Sequence, residues 1–182
     1  MPHTQIPLWT PEDRETLEAQ IQNEKWVTDI TYIQYGPETL YLSTIMDLYN
    51  NEIVAYKLYP HQRTALVVDT LEAALKVRGN PKGVLIHSDQ GSVYTSYAFQ
   101  LLVKENDLVS SMSRRGNCWD NAVIESFHST IKSEEFQYIK YHSLSSQQVI
   151  TRVTDYMKYY NQERIQEKLG YYSPMEFRGI AA

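Results

Sequence analysis

Three consecutive runs of this chain alternate side chains with a period of two, and the period then lengthens to that of a helix. Trp26–Gln34 sets Trp26, Thr28, Ile30 and Tyr32 against Val27, Asp29, Thr31 and Ile33. Thr39–Leu48, rich in Tyr, Leu, Ile and Thr, and Glu52–Tyr59 follow, with Gly36-Pro37 and Asn50-Asn51 between them as turns. This pattern predicts an antiparallel meander. Across Gln62–Arg78 apolar residues recur at three and four, and Gly79 ends the helix. Gly83–His87 is a short apolar run of the kind that forms a buried parallel strand. Ser96–Glu105 predicts a helix, Leu108–Met112 a strand and Ser113–Asn117 a loop; Trp119–Glu134 and Ser145–Arg164 predict helices, with Gly170 as a stop. Upstream, Thr10-Pro11-Glu12-Asp13 reads as an N-cap, a proline at the first helical position and acids near the positive end of the dipole, so a short helix is expected over Pro11–Gln22. The order β-β-β-α-β-α-β-α-α implies a mixed α/β sheet with helices on its faces.

Composition narrows the function classes. The 182 residues are 42% hydrophobic and 21% charged, which suits one globular domain and excludes wholesale disorder. No apolar run reaches the ~18–20 residues of a membrane helix, and Met1–Gln22 has no signal-peptide stretch. A single cysteine, Cys118, excludes an internal disulfide framework and a cysteine-based zinc site. His87 and His128 sit near carboxylates in sequence, but no His/Cys set has ligand spacing. A cytoplasmic protein of a single domain is the default expectation. The net charge of −5 argues against nucleic-acid binding by bulk charge, yet it is unevenly spread. Residues 1–110 hold 8 Lys/Arg and 14 Asp/Glu; residues 111–182 hold 9 and 8. Polyanion contacts are therefore expected in the C-terminal part and metal-holding carboxylates in the N-terminal part.

Three acids stand out by position. Asp29 interrupts a β-branched strand, where Asp is depleted; facing solvent on one side of the strand is its bland explanation. Asp89 follows the buried strand, and ligand sites in α/β sheets favour strand carboxyl ends; taken alone, it reads as a turn-forming Asp before Gln90-Gly91. Glu125 lies in the helix after the Arg-Gly loop. At 100° per residue Asn121, Glu125, His128 and Lys132 fall within about 60° of one another, while Val123, Phe127 and Ile131 cluster elsewhere and face the core. Such a polar stripe is ordinarily solvated surface, and becomes a site only where the two aspartates reach it. Asp47 is a rival ligand, although the neighbouring Asn50-Asn51 turn favours a hairpin role.

Four blocks in order resemble one family. They are Trp26-Val27-Thr28-Asp29-Ile30-Thr31-Tyr32, His87 to Ser96, Ser113 to Ala122, and Glu125-Ser126-Phe127 with Lys132 and Glu134. Between Asp89 and Glu125 lie 35 residues. The tail Tyr160-Asn161-Gln162-Glu163-Arg164, Leu169-Gly170-Tyr171, Ser173-Pro174 and Phe177 adds to the match. Over Lys25–Arg178 the chain resembles the catalytic core of bacterial insertion-sequence transposases, members of the DDE superfamily that includes retroviral integrases.

The resemblance implies a ribonuclease-H-like fold with a five-stranded mixed sheet flanked by helices. It divides the chain into an N-terminal extension with a short helix (1–24), a catalytic core (25–178) and a tail (179–182). It implies Mg²⁺-dependent DNA cleavage and strand transfer, with Mn²⁺ able to substitute. Asp29, Asp89 and Glu125 are then the catalytic carboxylates and metal ligands, since hard divalent cations prefer oxygen donors and two such ions serve both oxygens of a phosphodiester displacement. Lys132, Asn121, Arg114 and Arg115 become DNA contacts, with Lys132 on a phosphate. Arg114, Arg115 and Gly116 form a mobile loop over the site, while Cys118 and Trp119 pack or anchor it. The partners implied are element ends and target DNA, other copies of the chain on DNA, and a helix-turn-helix region separate or missing here; no membrane is implied. The chain departs from the family at Gln166, where the tail motif often carries His. A nuclease of the same fold without joining activity and an inactive, repurposed binding module are the competing readings.

Overall fold

The computed structural model describes residues 19–113, 121–137 and 144–180. β1 (Lys25–Tyr35), β2 (Glu38–Asp47) and β3 (Glu52–Tyr59) form the expected antiparallel meander. β4 (Leu85–Ser88) lies parallel to β1, and β5 (Val109–Met112) parallel to β4, giving a five-stranded sheet of order β3-β2-β1-β4-β5. The helices are α1 (Thr64–Arg78), α2 (Tyr97–Glu105), α3 (Ala122–Ile131), α4 (Ser146–Gln162) and α5 (Pro174–Ile180). Among the described residues no helix is long and apolar enough to cross a membrane.

Strand alternation divides the core into two layers. Trp26 and Ile45 pack with Val67, Leu71 and Phe99 of α1 and α2 on one face. Val27, Ile33 and Met46 pack with Ile124, Phe127 and Ile131 of α3 and Val153 of α4 on the other. Asp29 shares the parity of Val27 and therefore belongs to the α3 face. Local signals set the helix ends. Gly79, at φ 71°, closes α1 and lets Asn80 N–H reach Leu75 O at 2.8 Å. Ser145 and Gln148 form a reciprocal capping box at the start of α4.

Two expectations change. Of the helix expected over Pro11–Gln22, residues 1–18 lie outside the described residues, and residues 19–22 form bends and a turn rather than helix. There the Glu24 carboxylate accepts N–H bonds from Gln20 (2.6 Å) and Ile21 (3.3 Å), and Asn23 takes φ 60° just before β1. The helix expected over Trp119–Glu134 is α-helical only to Ile131 and widens to a π-turn at Lys132–Phe136. Ile131 and Phe136 are five apart, which in an α-helix would point them roughly 140° from each other. The i→i+5 pattern brings both into the core, where they are 0% and 1% exposed.

Candidate active site

The parallel pairing of β1 with β4 builds the centre of the site. The last pair in register is Val27 with His87. Two residues further along each chain lie Asp29 and Asp89. The two are close enough for the Asp29 charge to raise the Asp89 pKa. Partial loss of hydration is the larger cause of that rise, and the Gly91 N–H, donated to Asp89 Oδ1 at 2.8 Å, opposes it. Gly91 leaves no room beside this carboxylate: a Cβ there would stand 2.8 Å from Asp89 Oδ1. Asp89 is thus both a turn-former and a neighbour of Asp29.

The floor beneath the aspartates is a buried tyrosine. Tyr94 is 2% exposed, its hydroxyl lies 3.4 Å from Thr28 Oγ1, and its ring meets Phe99 edge-on at 5.4 Å. Burial first, and then the Asp29 and Asp89 charges, push its pKa well up, so it stays neutral. Thr28 Oγ1 donates in turn to Thr44 O at 2.9 Å. His87, on β4, is buried with Nδ1 3.2 Å from Ser111 Oγ, and burial lowers its pKa to about 4.

From the other side α3 brings the polar stripe, with one change from the expected solvated face. His128 is 5% exposed. Its Nδ1 lies 3.4 Å from Asp29 Oδ2 and its Nε2 lies 2.8 Å from Thr44 Oγ1. Phe127 and Ile131 face the core as expected, joined by Ile124, while Val123 is only partly buried. Asn121 is buried as well, at the N-cap of α3, and its Oδ1 has no hydrogen-bond partner among the described residues. Lys132 opens the π-turn with Nζ 4.7 Å from the centre of the Tyr32 ring, which is itself exposed. Loss of hydration lowers the Lys132 pKa and the Asp29 charge opposes that. Glu125, in the first turn of α3, is exposed.

The structure therefore sets Asp29 beside each of Asp89, His128 and Lys132. Among the described residues no three His, Cys, Asp or Glu side chains converge into a group that could hold a metal ion, and Glu125 stands apart from the two aspartates in this sense. Arg114, Arg115, Gly116, Cys118 and Trp119 lie outside the described residues. Asp47 takes the hairpin role: fully buried, its carboxylate accepts the N–H groups of Asn23 (2.9 Å) and Tyr49 (3.1 Å). The tail motif serves as a brace. Asn161 pairs its side-chain amide with both the N–H and the C=O of Ile53 at 2.9 Å, and Gln166 accepts from Asn51 Nδ2 at 2.9 Å. Arg164 grips Glu134 on the π-turn through Nε and Nη2, and Tyr156 O–H donates to the same carboxylate at 2.7 Å.

Comparison with known proteins places this geometry in a family. The integrase core domain profile matches residues 19–118, and a second integrase core domain profile matches residues 106–174. InsK of insertion sequence element IS150, from Escherichia coli (strain K12), is 41% identical over 156 residues, covering 86% of this chain and 54% of InsK. The transposase for insertion sequence element IS904, from Lactococcus lactis subsp. lactis (strain IL1403), is 35% identical over 166 residues, covering 90% of this chain and 64% of that protein. The chain thus spans a little over half the length of such relatives. The HTLV-2 integrase catalytic core domain in complex with magnesium (dimeric form) superposes with a TM-score of 0.66 at 16% identity, covering 81% of this chain and 92% of that one. That likeness shows the fold, which is ribonuclease-H-like. The chain belongs to the integrase core domain family, as the catalytic-core region of an insertion-sequence transposase in the retroviral-integrase superfamily.

Proposed function

We propose that this domain carries out metal-dependent cleavage and joining of DNA strands, with Asp29, Asp89 and Glu125 as its catalytic carboxylates. The observation that supports this most directly is the β1–β4 register, which sets Asp29, within β1, beside Asp89, just past the end of β4. Their donor chemistry fits a hard divalent cation such as Mg²⁺ or Mn²⁺. Both offer only oxygens, and each raises the cost of the other's charge, a cost that a cation relieves. Glu125 is the third donor in this reading, supplied from α3. When bound, the cation stabilises charge on the attacking and leaving oxygens of a phosphodiester displacement.

The chain's own residues hold and orient the DNA. Lys132 offers its ammonium to a phosphate beside Asp29, and Arg114 and Arg115 are further DNA contacts. Asn121, buried at the N-cap, plays a lesser part. In the first step a water oxygen bonds to phosphorus while the bond to the 3′ oxygen breaks, leaving a free 3′-OH. In the second, that hydroxyl attacks a target phosphodiester and the target's own 3′ oxygen leaves. Element-end recognition, assembly of several copies on DNA and a helix-turn-helix region belong to the whole transposase.

The test is nicking and strand transfer on a branched or pre-processed DNA end in Mn²⁺. Asp29→Asn, Asp89→Asn and Glu125→Gln should each abolish both. A Glu125→Gln protein with wild-type nicking would remove Glu125 from the triad. Nicking without any joined product would leave a nuclease.

A further inference from the structure

The carboxylate chemistry gives His128 no task, yet its imidazole bridges two strands beneath the site. It is 5% exposed. Asp29 and Thr44 are cross-strand partners in the β1–β2 register. His128 reaches both, with Nδ1 3.4 Å from Asp29 Oδ2 and Nε2 2.8 Å from Thr44 Oγ1. Thr44 is fully buried.

For a neutral imidazole, donor and acceptor arithmetic points to the nitrogen that carries the proton. An ionised carboxylate only accepts, so the ring nitrogen facing it must donate. A neutral imidazole has one N–H, which leaves Nε2 as an acceptor, and the Thr44 hydroxyl is the donor that completes it. The opposite tautomer would aim a nitrogen lone pair at a carboxylate oxygen. We propose that His128 is a positioning residue: locked by Thr44 in the Nδ1–H tautomer, it holds Asp29 through Oδ2 and so orients the carboxylate toward a divalent cation shared with Asp89. This rests on the reading of Asp29 and Asp89 as metal ligands. Groups that hydrogen-bond metal-ligating carboxylates typically change metal affinity by about 10–100-fold when removed.

Two measurements on the whole chain test it. Long-range ¹H–¹⁵N correlation spectra report which nitrogen of each histidine is protonated. There are five histidines, and the signal lost in His128→Asn assigns the one of interest. At about pH 8, above the ordinary histidine range, the proton should be on Nδ1; finding it on Nε2 overturns the proposal. Thr44→Val keeps the shape and removes the hydroxyl, and should release the tautomer preference.

The second measurement is Mn²⁺ affinity by calorimetry. His128→Ala should weaken it about 10–100-fold, with partial recovery in His128→Asn, whose amide can still donate. Thr44→Val, with its fold checked by circular dichroism, covers the case in which His128→Ala fails to fold, and should weaken Mn²⁺ binding in the same direction. If Asp29→Asn abolishes Mn²⁺ binding while His128→Ala and Thr44→Val leave it at the wild-type value, this inference fails and the metal reading stands. If Asp29→Asn binds as wild type, the metal reading itself fails, whatever the tautomer.

Discussion

Replacing Gly91 by alanine should move the Asp89 carboxylate while leaving the fold alone. Gly91 is not among the residues held at positive φ, so alanine meets no backbone strain there. Its methyl group does meet Asp89: the added Cβ would lie 2.8 Å from Oδ1 and 3.5 Å from Cγ and Oδ2. Ordinary van der Waals separation begins near 3.4–3.5 Å, so Oδ1 must give way by about 0.6 Å. That shift lengthens the 2.8 Å bond from Gly91 N–H to as much as about 3.4 Å and weakens it. It is about three times the ~0.2 Å tolerance of a metal–ligand distance.

Mn²⁺ affinity should therefore drop on the order of 10–100-fold, and nicking should drop with it. Weakening that N–H bond also weakens an interaction that lowers the Asp89 pKa. The carboxyl then protonates more readily, and the variant should need a higher pH than the wild type to bind Mn²⁺. Stability should change by less than about 1 kcal/mol, because alanine also narrows the unfolded ensemble. Calorimetry with Mn²⁺, a nicking assay and a thermal melt together decide it. Wild-type Mn²⁺ affinity in Gly91→Ala would refute the idea that this glycine exists to seat Asp89. A collapsed melting temperature would mean that the fold, not the carboxylate, requires it.

Three further predictions rest on separate groups. Arg78 lies 3.9 Å from the buried Asp47 and 2.9 Å from Glu52, which Arg178 also holds at 2.9 Å. Arg78→Ala leaves Asp47 without its cation and should cost about 3 kcal/mol, seen as a lower midpoint in urea unfolding. Lys132→Ala should weaken DNA binding equally across sequences and reduce the slope of log affinity against log salt by about one, measured by anisotropy on an inverted-repeat end and a scrambled duplex. Arg164 chiefly, aided by Tyr156, holds Glu134 below its ordinary 4.5. A depressed carboxylate contributes stability that is fully present above that ordinary value and is lost as pH falls through the folded value. Glu134→Gln should thus cost about 1 kcal/mol at neutral pH, screened because the pair is partly exposed. In paired urea titrations at neutral and acid pH that difference should vanish in acid.

Local pattern carried the meander, the five strands and the α1 stop, because each is written in neighbouring residues: alternation, a turn pair, a glycine at φ 71°. What the pattern hid is non-local. His128 lies at the edge of the polar stripe of α3, beside Ile124 and Ile131, and its letter suggests solvent. It is buried where Thr44 and Asp29, 84 and 99 residues away in sequence, face its two nitrogens. The π-turn was illegible for a related reason. The α-period fits up to Ile131, and only the demand that Phe136 also reach the core shows the extra residue. Gln166 is likewise explained by tertiary contact: where the family often has His, its amide meets Asn51 at the β2–β3 turn, well removed from a role on the aspartates.

The same contacts explain why Glu125 stands apart while Asp29 and Asp89 are already paired. The aspartates are fixed by a sheet register that exists as soon as β1 and β4 pair. Glu125 depends instead on how α3 rests on the sheet. That helix is held by Ile124, Phe127 and Ile131 in the core. It is pinned past its C-terminal end by the Arg164 and Tyr156 bonds to Glu134, and indexed to β1 by His128. Glu125 lies three residues before His128, a rise of about 4.5 Å along the axis and about 60° around it. With the helix so held, the Glu125 carboxylate is placed by its own side-chain rotamers rather than by the strand pairing that fixes the aspartates. Under the proposed reading, two donors come from the sheet region and the third from the first turn of a helix. The first cation should depend on the sheet pair and DNA chemistry on all three. Mn²⁺ affinity that falls sharply in Asp29→Asn and little in Glu125→Gln, with nicking lost in both, is the pattern that follows.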